Sequence, residues 1–476
     1  MSKENQEREW EESWVPSQGG PGLETALRAI HESYADMQIG RVAPEWSDAQ
    51  TRARVAEVDL SKAIGLDAAT REAADLMQHG DLLSASARCF GYFNPTSAWP
   101  GVIADLLVAA RNPQICVVSH APASAAMERE VIRYLQSCLG FPEDAVGNFT
   151  SGGSEANGSA VLVALVRGND GFATQGVRAY PKPPSFYASA DSHLAWIKIA
   201  RAAGLGADAV RLVPTSGDGR MDANALRAQV IEDREGGWSP FFIAATVGTT
   251  NAGMVDPLKE CRAIADEFGL HLHADAAWAG ALILDPKRRA QIAGIETADS
   301  VTIDAHKWLS VPMGAGMIFL RDRAAVHAAY SVATGYMPAG DGEDAYITTQ
   351  QWSRRFLGLR LWMMLRASGP AAYQRTFDRQ FRLADTLRAH LLERGWVIRN
   401  QTELPIVLFE DARHDVDSRT LADALEADAQ TWLGCVAYEG RTYLRACMTS
   451  FLSQEADLKL LLDRLDAVRD YSFKNK

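Results

Sequence analysis

Paired cysteines are missing from this sequence. Cys89, Cys116, Cys138, Cys261, Cys435 and Cys447 fall into no CxxC or CxxH spacing. That spacing gives no zinc or disulfide framework, and ordinary reduced core or pocket residues of a cytoplasmic protein are expected instead. No run approaches the roughly 20 apolar residues that a membrane-spanning helix requires. The N-terminus, Met1 to Glu9, has no hydrophobic signal region. Excess positive charge is absent as well: 48 Lys and Arg stand against 60 Asp and Glu, a formal net charge of −12, which argues against nucleic-acid binding. Neither GxGxxG nor GxxxxGK[ST] occurs, so dinucleotide and nucleotide triphosphate readings have no motif behind them. No internal repeat or low-complexity tract is evident. What is present is 476 residues at 47% apolar content, enough for a large core and more than one domain.

One stretch organises the rest, Ser300-Val-Thr-Ile-Asp-Ala-His-Lys-Trp-Leu309. Val301, Thr302 and Ile303 predict a short buried strand that delivers Asp304, His306 and Lys307 at its end. Met317 to Leu320 predicts a second strand that pairs with it. A lysine between buried strands is costly unless it is neutralised or used covalently. Upstream, His271-Leu-His-Ala-Asp-Ala-Ala-Trp-Ala-Gly280 brings a carboxylate, Asp275, to the end of another strand. Lysine and aspartate together are what pyridoxal 5'-phosphate (PLP) needs: an amine for a Schiff base and an acid to keep the pyridine nitrogen protonated.

Asp275-Ala-Ala-Trp-Ala-Gly and Asp304-Ala-His-Lys307 resemble the two signatures of the PLP-dependent group II amino acid decarboxylases, the aromatic-L-amino-acid and glutamate decarboxylases among them. The resemblance extends, at falling strength, from about residue 25 to 470. It implies an α/β, fold-type I enzyme: a large, mostly parallel mixed-sheet domain over 86–368, a helical segment over 1–85 that wraps a dimer partner, and a small α+β domain over 369–476. It implies a homodimer with active sites at the subunit interface and an amino acid as substrate. Lys307 would hold PLP, Asp275 its ring nitrogen, and His193, in Ser189-Ala-Asp-Ser-His193, would stack on the ring. Gly153 and Ser154, in Gly147-Asn-Phe-Thr-Ser-Gly-Gly-Ser154, would hold the phosphate, bordered by Asp304 and His306. An Asp beside a phosphate dianion is electrostatically awkward. Thr250 and Ala277 complete the expected cofactor contacts.

The rest of the chain reads in order. Residues 1 to about 22 are a polar lead-in, followed by amphipathic helices to about 85. Cys89 to Pro100 interleaves aromatics with Gly and Pro and predicts a rigid loop, which resembles a substrate loop with Tyr92 facing the substrate. Gln114 and Cys116 align with bulky apolar residues of the aromatic enzymes, and Ser84 with a tryptophan; a roomier, more polar pocket follows. Ser192 is expected to cap a helix over Leu194–Ala203. Val210–Val213, Phe241–Val247 and Leu270–Ala274 predict strands, with a helix over Asp222–Asp233. A helix capped by Asp256 with Pro257 at its first position is expected to run to Phe268. Ser331 to Asp344 predicts a mobile loop, in which Tyr336 aligns with the family's catalytic proton donor. Beyond Gly369, helices and two or three strands (Trp396–Ile398, Ile406–Phe409, Arg441–Met448) are expected. Decarboxylation coupled to oxidative deamination, and a non-catalytic homologue of the fold, are the alternatives.

Overall fold

Apolar, β-branched runs become strands where both of their faces are covered. The computed structural model describes residues 22–93, 95–332 and 343–474. Its larger sheet contains β1 (Val146–Thr150), β2 (Pro184–Ser189), β3 (Val210–Val213), β4 (Ser239–Thr246), β5 (His271–Asp275), β6 (Ser300–Asp304) and β7 (Gly316–Leu320). Their spatial order is β1-β7-β6-β5-β4-β2-β3. From β3 to β6 neighbouring strands are parallel, and β7 alone is reversed, antiparallel to β6 and β1. The predicted pairing of the two central runs is thus formed, with Thr302 opposite Ile318.

Every residue of β2, β5, β6 and β7 is buried. Alternation splits them between two cores: Val301, Ile303, Met317 and Phe319 face one side, Ile318 and Leu320 the other. Each large apolar side chain buried this way contributes roughly 1.5–3 kcal/mol. The second core lies under the Gly153–Gly168 helix, whose Ala156, Ala160 and Ala164 recur once per turn and are fully buried. Small residues at that spacing let the helix axis approach the sheet.

Two expectations change here. Asp256 caps no helix; the helix is Leu258–Phe268, and Asp256 lies buried, accepting the Thr246 N–H (2.7 Å) and the Met221 N–H (2.8 Å). Burial raises its carboxyl to about 6. The C-terminal sheet has four antiparallel strands, β8 (Trp396–Ile398), β9 (Ile406–Asp411), β10 (Gly434–Tyr438) and β11 (Arg441–Cys447), in the order β10-β11-β9-β8. The additional strand, β10, is a short, half-exposed edge strand paired only with β11. Before the large sheet, helices Leu23–Ile39, Asp48–Ala56 and Leu66–Gly80 contain no buried residue.

Candidate active site

β5 and β6 end on the same edge of the sheet, at Asp275 and Asp304, where open α/β sheets bind ligands. Ala277 ties the two ends together. Its N–H donates to Asp275 Oδ1 (3.3 Å), and its carbonyl accepts the Asp304 N–H (2.8 Å). A tight turn after β6 then carries Lys307 back over Asp304, with Ser310 in the left-handed region at φ 56°. Lys307 Nζ lies 3.0 Å from Asp304 Oδ2; the lysine side chain is 25% exposed, the aspartate 3%.

His306 completes this group, its Nε2 3.8 Å from Asp304 Oδ2. The Ala315 N–H donates to His306 Nδ1 (3.2 Å), so the neutral ring carries its proton on Nε2. Burial, with Lys307 beside it, holds His306 below the usual histidine range. Asp304 Oδ1 is buried and has no hydrogen-bond partner among the described residues.

The Gly153–Gly168 helix aims its N-terminus at this cluster. A Cβ on Gly153 would stand 3.0 Å from Asp304 Oδ2, and one on Gly316 would stand 2.6 Å from Gly152 backbone atoms. Glycine at both positions lets β7, the helix start and Asp304 meet. Ser154 is exposed in the first turn. Free amides at a helix start, with the helix dipole, favour an anion.

His193 is exposed at the end of the β2 loop, and its Nδ1 accepts the Ala195 N–H (3.1 Å). The helix spans Ala195–Ala202 with Leu194 at its N-cap, so Ser192 does not cap it, and His193 instead takes up its first N–H. This fixes Nδ1 as the acceptor and leaves the proton on Nε2.

Arg445 on β11 escaped the sequence reading. It is 7% exposed and donates to the carbonyls of Thr250 (2.6 Å) and Gly91 (2.5 Å), beside the Phe93 ring. Among the described residues no carboxylate pairs with it, and its Nε has no partner. The available signal was a charged residue inside the otherwise apolar stretch from Tyr443 to Met448. Its contacts join the Thr250 loop to the Cys89–Pro100 loop, and the latter reaches the lysine turn through the Ala98 N–H to Ser310 O bond (2.8 Å). Tyr92 in that loop stacks on Trp432 at 4.7 Å and is 43% exposed.

Gln114 and Cys116 lie elsewhere. Gln114 Oε1 accepts the Arg354 N–H (2.9 Å), and the Cys116 carbonyl accepts the Tyr346 N–H (3.3 Å). Ser84 donates its N–H to Leu82 O. Among the described residues, none of these bonds reaches Lys307, Asp304 or Asp275. Tyr336 lies outside the described residues.

An amine, an acceptor carboxylate, a helix N-terminus and an orphaned buried oxygen suit a group with an aldehyde, a basic ring nitrogen and a phosphate. The profile described as the pyridoxal-dependent decarboxylase conserved domain matches residues 63–411. The chain is 33% identical to the L-aspartate decarboxylase dtxS4 of Metarhizium robertsii over 61% of its own length and 58% of that protein. It is 30% identical to the aromatic-L-amino-acid decarboxylase of Bacillus atrophaeus, over 65% and 64%. The matched stretch thus spans less than two thirds of either relative. The crystal structure of Oryza sativa TDC with PLP and tryptamine superposes with a TM-score of 0.88 at 22% identity, covering 95% of this chain and 97% of that one, which establishes the shared fold. This chain belongs to the pyridoxal-dependent decarboxylase family, and its cofactor is pyridoxal 5'-phosphate.

Proposed function

We propose that the chain decarboxylates an L-amino acid with a polar or large side chain at its α-carbon, releasing the amine and CO2, and that it does so as a homodimer. The observation that carries this reading is that Asp275 and Asp304 end adjacent strands and are bridged by Ala277, with Lys307 Nζ 3.0 Å from Asp304 Oδ2. When bound, the cofactor supplies a sink for the electron pair left on the α-carbon as CO2 departs.

The chain's own residues do the rest. Lys307 would hold the cofactor through its amine, with Asp304 as the amine's counter-charge. Asp275 presents a carboxylate to the ring nitrogen and keeps it protonated. Gly153 and Ser154 offer backbone and hydroxyl groups to the phosphate. His193, anchored through Nδ1, offers its Nε2–H for stacking and proton traffic above the ring. Arg445, a buried cation satisfied only by carbonyls, suits the substrate carboxylate. Tyr336 is the proposed donor of the proton that replaces CO2 on the α-carbon, by resemblance alone.

Ser84, Gln114 and Cys116 support a polar pocket in the dimer, where the second chain would bring the Gln114 turn toward the site. The relatives act on both kinds of substrate by name, an aspartate and an aromatic enzyme. Support for the homodimer comes from the three N-terminal helices without a buried residue, which expose Leu27, Ile39, Leu66 and Met77, with Leu60 and Ile64 exposed on the connection between the second and third. Among the described residues no helix is long and apolar enough to cross a membrane.

CO2 and amine release across a panel of L-amino acids tests the reading. A polar or large substrate should turn over best, and Lys307→Ala should abolish turnover while retaining some PLP. Undiminished turnover in Lys307→Ala would sink the assignment, and dopa or tryptophan as the best substrate would sink the polar pocket.

A further inference from the structure

β5 carries an expensive pattern that the reading above leaves unused. His271, His273 and Asp275 alternate with Leu272 and Ala274, and period-2 geometry places the three polar side chains in a row on one face of a fully buried central strand. Ser300 of β6 stands in register with His273. Asn157 reaches the same row from the covering helix.

These groups form one unbroken chain of hydrogen bonds. Asn157 Nδ2 lies 2.9 Å from Asp275 Oδ2, and Asn157 Oδ1 lies 3.1 Å from His273 Nε2. His273 Nδ1 is 2.8 Å from Ser300 Oγ, which is 2.7 Å from His271 Nε2. A carboxylate only accepts, so Asn157 must donate to Asp275 through its amide nitrogen. Its oxygen must then accept, which puts the His273 proton on Nε2. The neutral His273 next accepts at Nδ1 from the Ser300 hydroxyl, and Ser300 in turn accepts from the His271 Nε2–H. His271 Nδ1 is left as the open acceptor at the tail, buried without a partner among the described residues.

Burial holds both rings neutral, His273 down to about 3 and His271 down to about 4, so each has a single N–H and the direction is unique. Asp275 and Asp299 pull against that burial, from beside His273 and His271 respectively, while Arg167 and Arg262 reinforce it at His271. Trp196 and Phe242 pack against His273 and exclude other polar partners from its faces.

We propose that Asn157, His273, Ser300 and His271 are a polarised relay of positioning residues that orients Asp275 as the acceptor for the cofactor's ring nitrogen. The inference rests on the cofactor role assigned to Asp275. The relay orients and does not conduct, because the Asn157 amide interrupts proton transfer. Each N–H or O–H points toward Asp275, and reversing any one of them would set a buried donor against a donor or a buried acceptor against an acceptor.

The test uses holoenzyme loaded with PLP labelled with 15N in the ring, read by the nitrogen's NMR shift, which separates protonated from neutral pyridine. His273→Phe should move the signal away from the protonated position and lower kcat about tenfold, as loss of a supporting hydrogen bond behind a ligand typically does, with KM little changed. His273→Gln, which keeps an N–H for Asn157, should restore both. An unmoved signal in His273→Phe overturns the relay. Where that variant does not fold, Ser300→Ala removes one hydroxyl only; a partial move supports the relay and an unmoved signal overturns it. Asp275→Ala separates the two ideas: if its signal also stays put, the Asp275 assignment falls; if it moves while His273→Phe does not, only the relay falls.

Discussion

Lys307 Nζ and Asp304 Oδ2 stand 3.0 Å apart at the end of β6, so the amine proposed to carry the cofactor is held by a carboxylate three residues before it. Asp304→Ala would leave the ammonium without that acceptor. Full burial of a broken pair would cost more, but Lys307 is a quarter exposed and solvent screens it. The expected loss is about 1–3 kcal/mol in the unfolding free energy of the cofactor-free protein, read from urea melts, with Asp304→Asn recovering part of it. An unchanged midpoint would mean that water already neutralises this pair and that Asp304 serves the phosphate side instead.

Gly316 tests the tight approach behind the phosphate turn. An alanine there sets its Cβ 2.6 Å from Gly152 Cα and carbonyl carbon, atoms that cannot swing aside. Gly316→Ala is expected to cost about 1–3 kcal/mol of stability and to loosen PLP, seen as faster loss of the bound chromophore on dialysis. Gly158→Ala is the control: its Cβ meets nothing within 4 Å on the same helix, and a gain of up to about 1 kcal/mol in helix propensity is expected. Equal PLP retention by the two variants would remove the close approach from the account of cofactor binding.

Local patterns were legible wherever one residue's environment is set by its chain neighbours. Val301 to Ile303 and Phe241 to Thr246 are strands because continuous apolar runs suit a sheet covered on both sides. The placement of Asp275 and Asp304 at strand ends was legible because each closes a short apolar run. Asp256 misled because Asp-Pro before an apolar run looks like a cap, whereas a distant amide, that of Met221, claims its carboxylate. Arg445 and the row from His271 to Asp275 depend on partners over a hundred residues away, Thr250 and Asn157, so spacing carried no trace of them. His193 is proposed for the ring, but its bond to the first N–H of the following helix needed the backbone to be seen.

Acid sensitivity should follow from the two buried histidines. Their folded values are depressed, to about 4 for His271 and about 3 for His273, below the unfolded value near 6.5. Their contribution is therefore fully present above about pH 6.5 and is lost as pH falls toward the folded values, because only the unfolded chain takes up the protons. Each histidine sets a slope of up to about 1.4 kcal/mol per pH unit in that window. Asp256, raised to about 6, works the other way: its contribution is present below about pH 4 and is lost as pH rises through about 6. Comparing His271→Phe with the parent cancels Asp256 and every other shared group. The variant's relative stability should improve by about 1.4 kcal/mol per unit between about pH 6 and 4.5, measured by chemical unfolding. Parallel curves would mean that His271 titrates as an ordinary histidine and is not held neutral.

The N-terminal helices set the last prediction. Leu23–Ile39, Asp48–Ala56 and Leu66–Gly80 are each long enough to form only with help, yet no residue on them is buried within one chain. Ile39 is 73% exposed and Met77 66%. Covering such side chains would contribute roughly 1.5–3 kcal/mol each, and a second copy of the chain supplies a matching surface under twofold symmetry. Sedimentation at micromolar concentration should therefore give a two-chain mass. The double variant Ile39→Asp, Met77→Asp should shift it toward one chain and lower decarboxylation in proportion, because the proposed sites need both subunits. A parent protein that sediments as one chain with full turnover would sink the dimer, and with it the route by which Gln114 and Cys116 reach a substrate.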